Sequence, residues 1–166
     1  MFVDSHCHLT FDGLIDRMDD VRAAMSAAKV DRAMSICTTL EEFDAVQGLA
    51  RRFDNIWATV GVHPDNEGVR EPAVQDLLDG AARPRVLAIG ETGLDYYRLN
   101  GRMLDDMHWQ RERFRTHIRA ARACGKPLVI HTRSASADTL RLIDEEGAEQ
   151  AGGVFHCFTE TVEVAR

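Results

Sequence analysis

Four short apolar runs in this sequence each lead to a side chain that can hold a metal ion. Met1, Phe2 and Val3 precede His6 and His8. Val86, Leu87, Ala88 and Ile89 precede Glu91, Leu128, Val129 and Ile130 precede His131, and Val154 and Phe155 precede His156. Runs this short, bounded by turn and helix residues, read as buried parallel strands. Donors gathered at the C-terminal ends of several parallel strands are how a β/α barrel builds its functional rim. Fold and chemistry are therefore constrained together.

Strand-like and helix-like segments alternate along the rest of the chain. After a first strand ending at His8, the periodicity predicts a helix over 16–29, with Met18, Val21, Met25 and Ala28 on one stripe. A strand over 32–38 follows, then a helix over 41–53, a strand over 56–62, a helix over 71–82 and a strand over 85–90. The connection 92–104, rich in Gly, Tyr and Asn, has no periodicity of its own, and connections of that kind are commonly functional. A helix over 105–124 stops at Gly125 and Pro127. Strands over 128–132 and 153–158 flank a helix over 137–146, and another helix begins at Thr159.

Repeated β-α units imply an α/β fold with a parallel sheet. Six strands suit an open doubly wound sheet. Donors from strands one, four, five and six favour a TIM-type (β/α) barrel, whose strand ends all face one mouth. A closed eight-stranded barrel typically takes roughly 250 residues, against 166 here. The expectation is a single domain over 1–166 that holds about six of eight β-α units and lacks strands seven and eight.

The formal net charge of -7 excludes a globally basic coat for nucleic acid. It leaves open an enzyme that grips a few phosphates. Cys7, Cys37, Cys124 and Cys157 show neither CxxC spacing nor a disulfide-dense pattern. They read as small buried residues in a reducing compartment, with Cys7 and Cys157 alternating away from the histidines beside them. Asp4, His6 and His8 interrupt any signal-like opening, and no run reaches membrane-spanning length. A soluble, cytoplasmic protein without a membrane partner is expected.

His6 and His8, two residues apart on a strand, lean to one side and can share a cation, with Asp4 as an orienting carboxylate. Glu91, between glycines, has two oxygens that can bridge two metals. His131 and His156 end strands five and six. Paired cations about 3.5–4 Å apart can activate water and clamp an in-line displacement, which suits phosphodiesters, esters and amides alike. His63, before Pro64, reads as a proton donor, a phosphate contact or a structural residue. Arg133 leans toward the mouth as a phosphate fork or pairs with a carboxylate. Tyr96, Tyr97 and Arg98, after Asp95, either stack on bases or cover the mouth. Arg111, Arg115, Arg119 and Arg122 form a stripe that reads as solvated outer surface rather than a phosphate track.

The stretches VDSHCHL (3–9), GVHP (61–64), AIGETGLDYYR (88–98), PLVIHTRSA (127–135) and GGVFHCFT (152–159) resemble, in order, the TatD family of metal-dependent deoxyribonucleases within the amidohydrolase-like barrels. The intact HxH is similar to the subgroup that keeps both N-terminal histidines. The resemblance implies metal ligands at His6, His8, Glu91, His131 and His156, with Glu91 shared between two cations, Mg²⁺, Mn²⁺ or Zn²⁺. It implies a substrate site lined by His63 and Arg133; Glu91 and His63 are the catalytic candidates, and Asp95 and Tyr97 of the loop after strand four are further substrate-binding candidates. It also implies 3′-to-5′ removal of nucleotides, mostly from single-stranded DNA. Members of the family continue to an Asp-bearing motif at the end of strand eight that this sequence does not contain. Two other readings stand beside the nuclease: an amidohydrolase or aminoacyl-tRNA ester deacylase with the same metal site, and a non-catalytic truncated product.

Overall fold

The computed structural model describes residues 1–166. Six parallel strands form one sheet in sequential order: β1 (Phe2–Cys7), β2 (Val30–Ser35), β3 (Ile56–Val60), β4 (Val86–Asp95), β5 (Leu128–Arg133) and β6 (Gly153–Phe155). Between them run α1 (Met18–Ala27), α2 (Phe43–Arg52), α3 (Val74–Ala81), α4 (His108–Cys124) and α5 (Ser136–Glu146). A doubly wound sheet reverses its strand order at a switch point. No reversal occurs here, so the helices keep to one face and the sheet curls as part of a TIM-type barrel. The doubly wound alternative is thereby excluded.

A core cluster of 28 buried residues lies between the helices and the sheet. Val46, Leu77, Phe114, Ile118 and Leu142 from the helices meet Ile56, Ile89, Leu94 and Leu128 from the strands. Full burial of side chains this size contributes roughly 1.5–3 kcal/mol each. A smaller cluster, Ile36, Ala88 and Val129, occupies the opposite face. Farther from the strand ends on that face, Val3, Met34, Trp57 and Leu87 line a shallow apolar hollow. β1 and β6 are the two edges of the sheet. No helix is long and apolar enough to cross a membrane.

Three elements depart from expectation. Strand four does not end at Gly90 but continues to Asp95, so the long connection begins only at Tyr96. The cause lies at Gly93, where φ is +129° and a Cβ would run into the His131 carbonyl oxygen. Its missing side chain lets residues 92–95 pair with β5. β6 stops at Phe155 instead of residue 158, because Cys157 takes a left-handed φ of 45° that breaks the extended run. Residues from Thr159 onward form turns rather than a helix.

Candidate active site

Glu91 sits at the centre of five imidazoles. A register irregularity between Ile89 and Thr92 interrupts regular pairing of β4 at this residue, and its side chain is only 2% exposed. Oε2 lies 3.2 Å from Nε2 of His6 and 3.9 Å from Nε2 of His8. Oε1 lies 3.1 Å from Nε2 of His156, 3.3 Å from Nδ1 of His131 and 3.5 Å from Nε2 of His63. His6 and His131 stand on strands, whereas His8, His63 and His156 lie just past strand ends. The approach of His63 depends on Gly61, where any Cβ would collide with the Gly90 backbone.

The surroundings set the protonation states. Burial pushes the Glu91 carboxyl up, but the imidazoles crowded around it, His131, His156 and His6 foremost, outweigh it and hold the group well below the carboxylate range. Burial pulls His131 down, yet the Asp95 and Glu91 carboxylates raise it to about 9. Burial lowers His63 to about 4, overcoming the pull of Glu91. It lowers His8 as well, against the same carboxylate.

Hydrogen bonding also fixes ring tautomers. The Asp65 amide donates to Nδ1 of His63 at 3.1 Å. An amide N–H can only donate, so neutral His63 carries its hydrogen on Nε2, the atom that faces Glu91. His131 places Nε2 2.9 Å from Oδ2 of Asp95 and Nδ1 toward Glu91.

This donor set fits divalent cations. Nδ1 and Nε2 of His6 and Nδ1 of His8 are buried without a hydrogen-bond partner, Nε2 of His6 being near Glu91 but poorly aligned for one. Orphaned imidazole nitrogens around an ionised carboxylate are costly unless a cation uses them. His6, His8 and Glu91 bring donor atoms within 4.8 Å of one another, and so do His63, Glu91 and His131. In the second group Nε2 of His63 is committed as an N–H. His156, nearer to Oε1, is therefore the better imidazole to accompany His131.

The remaining candidates sit differently. Asp95 is buried behind His131 and does not line the cleft; its other oxygen accepts the Tyr97 amide at 2.9 Å. Tyr97 and Arg133 stack on each other at the rim, with the guanidinium carbon 3.6 Å from the ring centre. Asp4 accepts the backbone N–H of His6 at 3.1 Å, so it orients the strand rather than the ring. Arg115 and Arg119 pair with Glu146, Arg122 bonds Gln150, and Arg111 lies 3.6 Å from Asp138. The stripe is thus bonded to α5 and the segment after it, with Arg111 and Arg115 half-buried there, and is neither a freely solvated surface nor a phosphate track. Cys7 packs against the core and Cys37 is buried, and burial pushes both thiols up to about 12. Cys157 is exposed, contrary to expectation, because the chain turns out of its strand there.

The cleft itself, about 580 Å³, is also lined by Phe11, Thr38, Asp65, Asn66 and Arg98. Except for Arg98, these were not singled out from the sequence. Each lies just beyond a strand in a segment without periodicity, so only its position after a strand end marks it. Gln110, Arg113 and His117 of α4 were missed as well. All three are buried polar residues interleaved with Phe114, Ile118 and Ala121 on the apolar face of the helix, and that interruption of the stripe was the available signal.

A family model described as "TatD related DNase" matches residues 3–166. The chain is 41% identical over 167 residues to YcfH of Escherichia coli K12, named an uncharacterized metal-dependent hydrolase, covering 98% of this chain and 61% of that protein. It is 36% identical over 149 residues to a protein of Cronobacter turicensis named "3'-5' ssDNA/RNA exonuclease TatD", covering 89% and 55%. Among solved structures, the TatD homologue YJJV of Escherichia coli K12 superposes with a TM-score of 0.88 at 23% identity, over 99% of this chain and 62% of that one. The chain thus spans about 61% of the length of relatives such as YcfH.

Proposed function

Since the chain belongs to the family of TatD-related DNases, we propose that it carries most of the active site of a metal-dependent hydrolase that removes nucleotides from the 3′ end of single-stranded DNA. The observation that carries this reading is the division of Glu91: one oxygen faces His6 and His8, the other His131 and His156. A carboxylate shared in this way suits two divalent cations, Mg²⁺, Mn²⁺ or Zn²⁺. Bound there, they supply activation of water and neutralisation of charge on the phosphoryl oxygens.

The chain's own groups divide the other tasks. His63, neutral and carrying its hydrogen on Nε2, donates a hydrogen bond to the substrate oxygen that enters the cleft. Arg98 lines the cleft and is 3.9 Å from Asp65 in an exposed pair. Such a pair is worth little, so the guanidinium is available to a phosphate. The Tyr97–Arg133 stack offers a flat, exposed platform for a base. Asp95 holds His131 and Tyr97 in place rather than touching substrate. The two remaining strands of the barrel, with a further carboxylate, are assigned to polypeptide beyond this chain. The span relative to YcfH and the open apolar hollow support that assignment.

The test is incubation of the full-length protein with 5′-labelled single-stranded DNA and Mn²⁺ or Mg²⁺. A ladder shortening from the 3′ end is expected. Intact DNA alongside hydrolysis of an aminoacyl ester would replace this reading with an ester deacylase.

A further inference from the structure

Behind His63, α4 carries two buried polar side chains to which the proposed chemistry gives no role. His117 is fully buried, and its Nε2 accepts the Val62 amide at 3.0 Å. Because that amide can only donate, Nε2 is unprotonated, and Nδ1–H donates to the Arg113 carbonyl at 2.7 Å. Arg113, 3% exposed, donates through Nη1 to the carbonyls of His63 at 2.7 Å and Asn66 at 2.9 Å. Its Nε donates to Glu71 at 2.8 Å. On the far side, the His63 amide donates to the Thr38 carbonyl at 2.8 Å. The backbone is therefore gripped before, at and after His63.

Nothing about core packing requires this. Phe114, Ile118 and Ala121 already fill the same face of α4, and a buried polar group costs free energy unless it is bonded. We propose that His117 and Arg113 are positioning residues for His63, acting through the backbone at residues 62–66. They set where Nε2 of His63 points without touching substrate themselves. The inference rests on the reading of His63 as the hydrogen donor to substrate. A displacement of about 1 Å at a reacting group can cost on the order of 100-fold in rate.

The experiment uses the full-length protein with Mn²⁺ and 5′-labelled single-stranded DNA. His63→Ala is expected to lower kcat by about 10²- to 10⁴-fold. His117→Leu is expected to lower kcat about 100-fold with KM changed less than about threefold. His117→Gln, whose amide oxygen can accept the Val62 N–H, is expected to restore kcat to within about fivefold of the parent. The double variant His63→Ala/His117→Leu is expected to be no slower than His63→Ala alone, since the second residue acts only through the first.

Loss on His63→Ala with full activity in a folded His117→Leu would overturn the inference and leave the reading of His63 intact. Multiplying losses in the double variant, or failure of glutamine to restore activity, would overturn it as well. An inert His63→Ala would remove the role of His63 and the inference with it. If the leucine variant does not fold, Arg113→Gln carries the same kcat expectation, and unchanged turnover there counts against the proposal. Nitrogen NMR of the parent protein supplies a readout independent of turnover: neutral His117 protonated on Nδ1 is expected, and protonation on Nε2 would overturn the assignment.

Discussion

Nε2 of His131 lies 2.9 Å from Oδ2 of Asp95, which is itself buried. The carboxylate keeps a hydrogen on Nε2, so Nδ1, the atom facing Glu91, is the nitrogen that gives up its proton when a cation binds. Partners of this kind typically contribute 10- to 100-fold in metal affinity. Asp95→Asn is accordingly expected to weaken Mn²⁺ binding by about 10- to 100-fold. Isothermal titration of the full-length variant checks this, and unchanged affinity would detach Asp95 from the metal site.

Cation binding and folding are expected to be linked through Glu91. A ligand at a hundred times its Kd stabilises the native state by about 2.7 kcal/mol. For a chain of this size that corresponds to a rise in Tm of roughly 5–10 °C. Mn²⁺ is expected to raise the Tm of the parent by that amount, and much less in Glu91→Ala, which should also lose turnover. Equal shifts in the two proteins would show that Glu91 does not hold the ion.

Arg98→Ala is expected to raise KM for single-stranded DNA about tenfold with kcat little changed. It should also reduce the salt dependence of binding by about 0.7 in logarithmic slope, the loss of one phosphate contact. An unaltered slope would place the guanidinium off the substrate path.

His117 makes stability depend on pH. Burial lowers its pKa from the ordinary 6.5 to about 4, so between those values the unfolded chain binds a proton that the folded chain refuses. The full contribution is present above pH 6.5 and is lost as pH falls toward 4, at about 1.4 kcal/mol per unit, or about 3 kcal/mol in total. Urea titrations should show the stability of the parent relative to His117→Gln falling by about 3 kcal/mol as pH falls through this window. Parallel curves would mean that His117 is protonated in the native state.

Gly93→Ala is expected to destabilise by about 3 kcal/mol or more, because φ is +129° and the new Cβ meets the His131 carbonyl. A small change in urea midpoint would mean that β4 can separate from β5 without cost.

Much of this arrangement was legible in the sequence. The donors at positions 6, 8, 91, 131 and 156 could be grouped because each ends an apolar run, and a strand's period of two keeps His6 and His8 on one side. The continuation of β4 was not legible, since Gly93 in a string usually signals a turn. Here it allows close backbone approach, a tertiary fact. Asp95 looked like a loop residue for the same reason and was assigned to substrate, whereas its position at the end of a buried strand aims it at His131. Arg133 was expected to lean into the mouth. At the last position of β5 it is exposed and rests on Tyr97 instead. His117 and Arg113 are not marked by a helix pattern read for its apolar members, and the contacts that tie them to His63 reach backbone atoms about 50 residues away in sequence.

α4 reaches two separated parts of the centre at once. Gln110 bonds both the amide and the carbonyl of Asp95, while His117 holds Val62. A slight roll of that one rod would move a ligand's brace and a hydrogen-bond donor together. The outer side of the same helix is tied to Glu146 by Arg115 and Arg119. Substitutions at that solvent-facing seam therefore offer a remote handle for tuning turnover, with no change to any group inside the cleft.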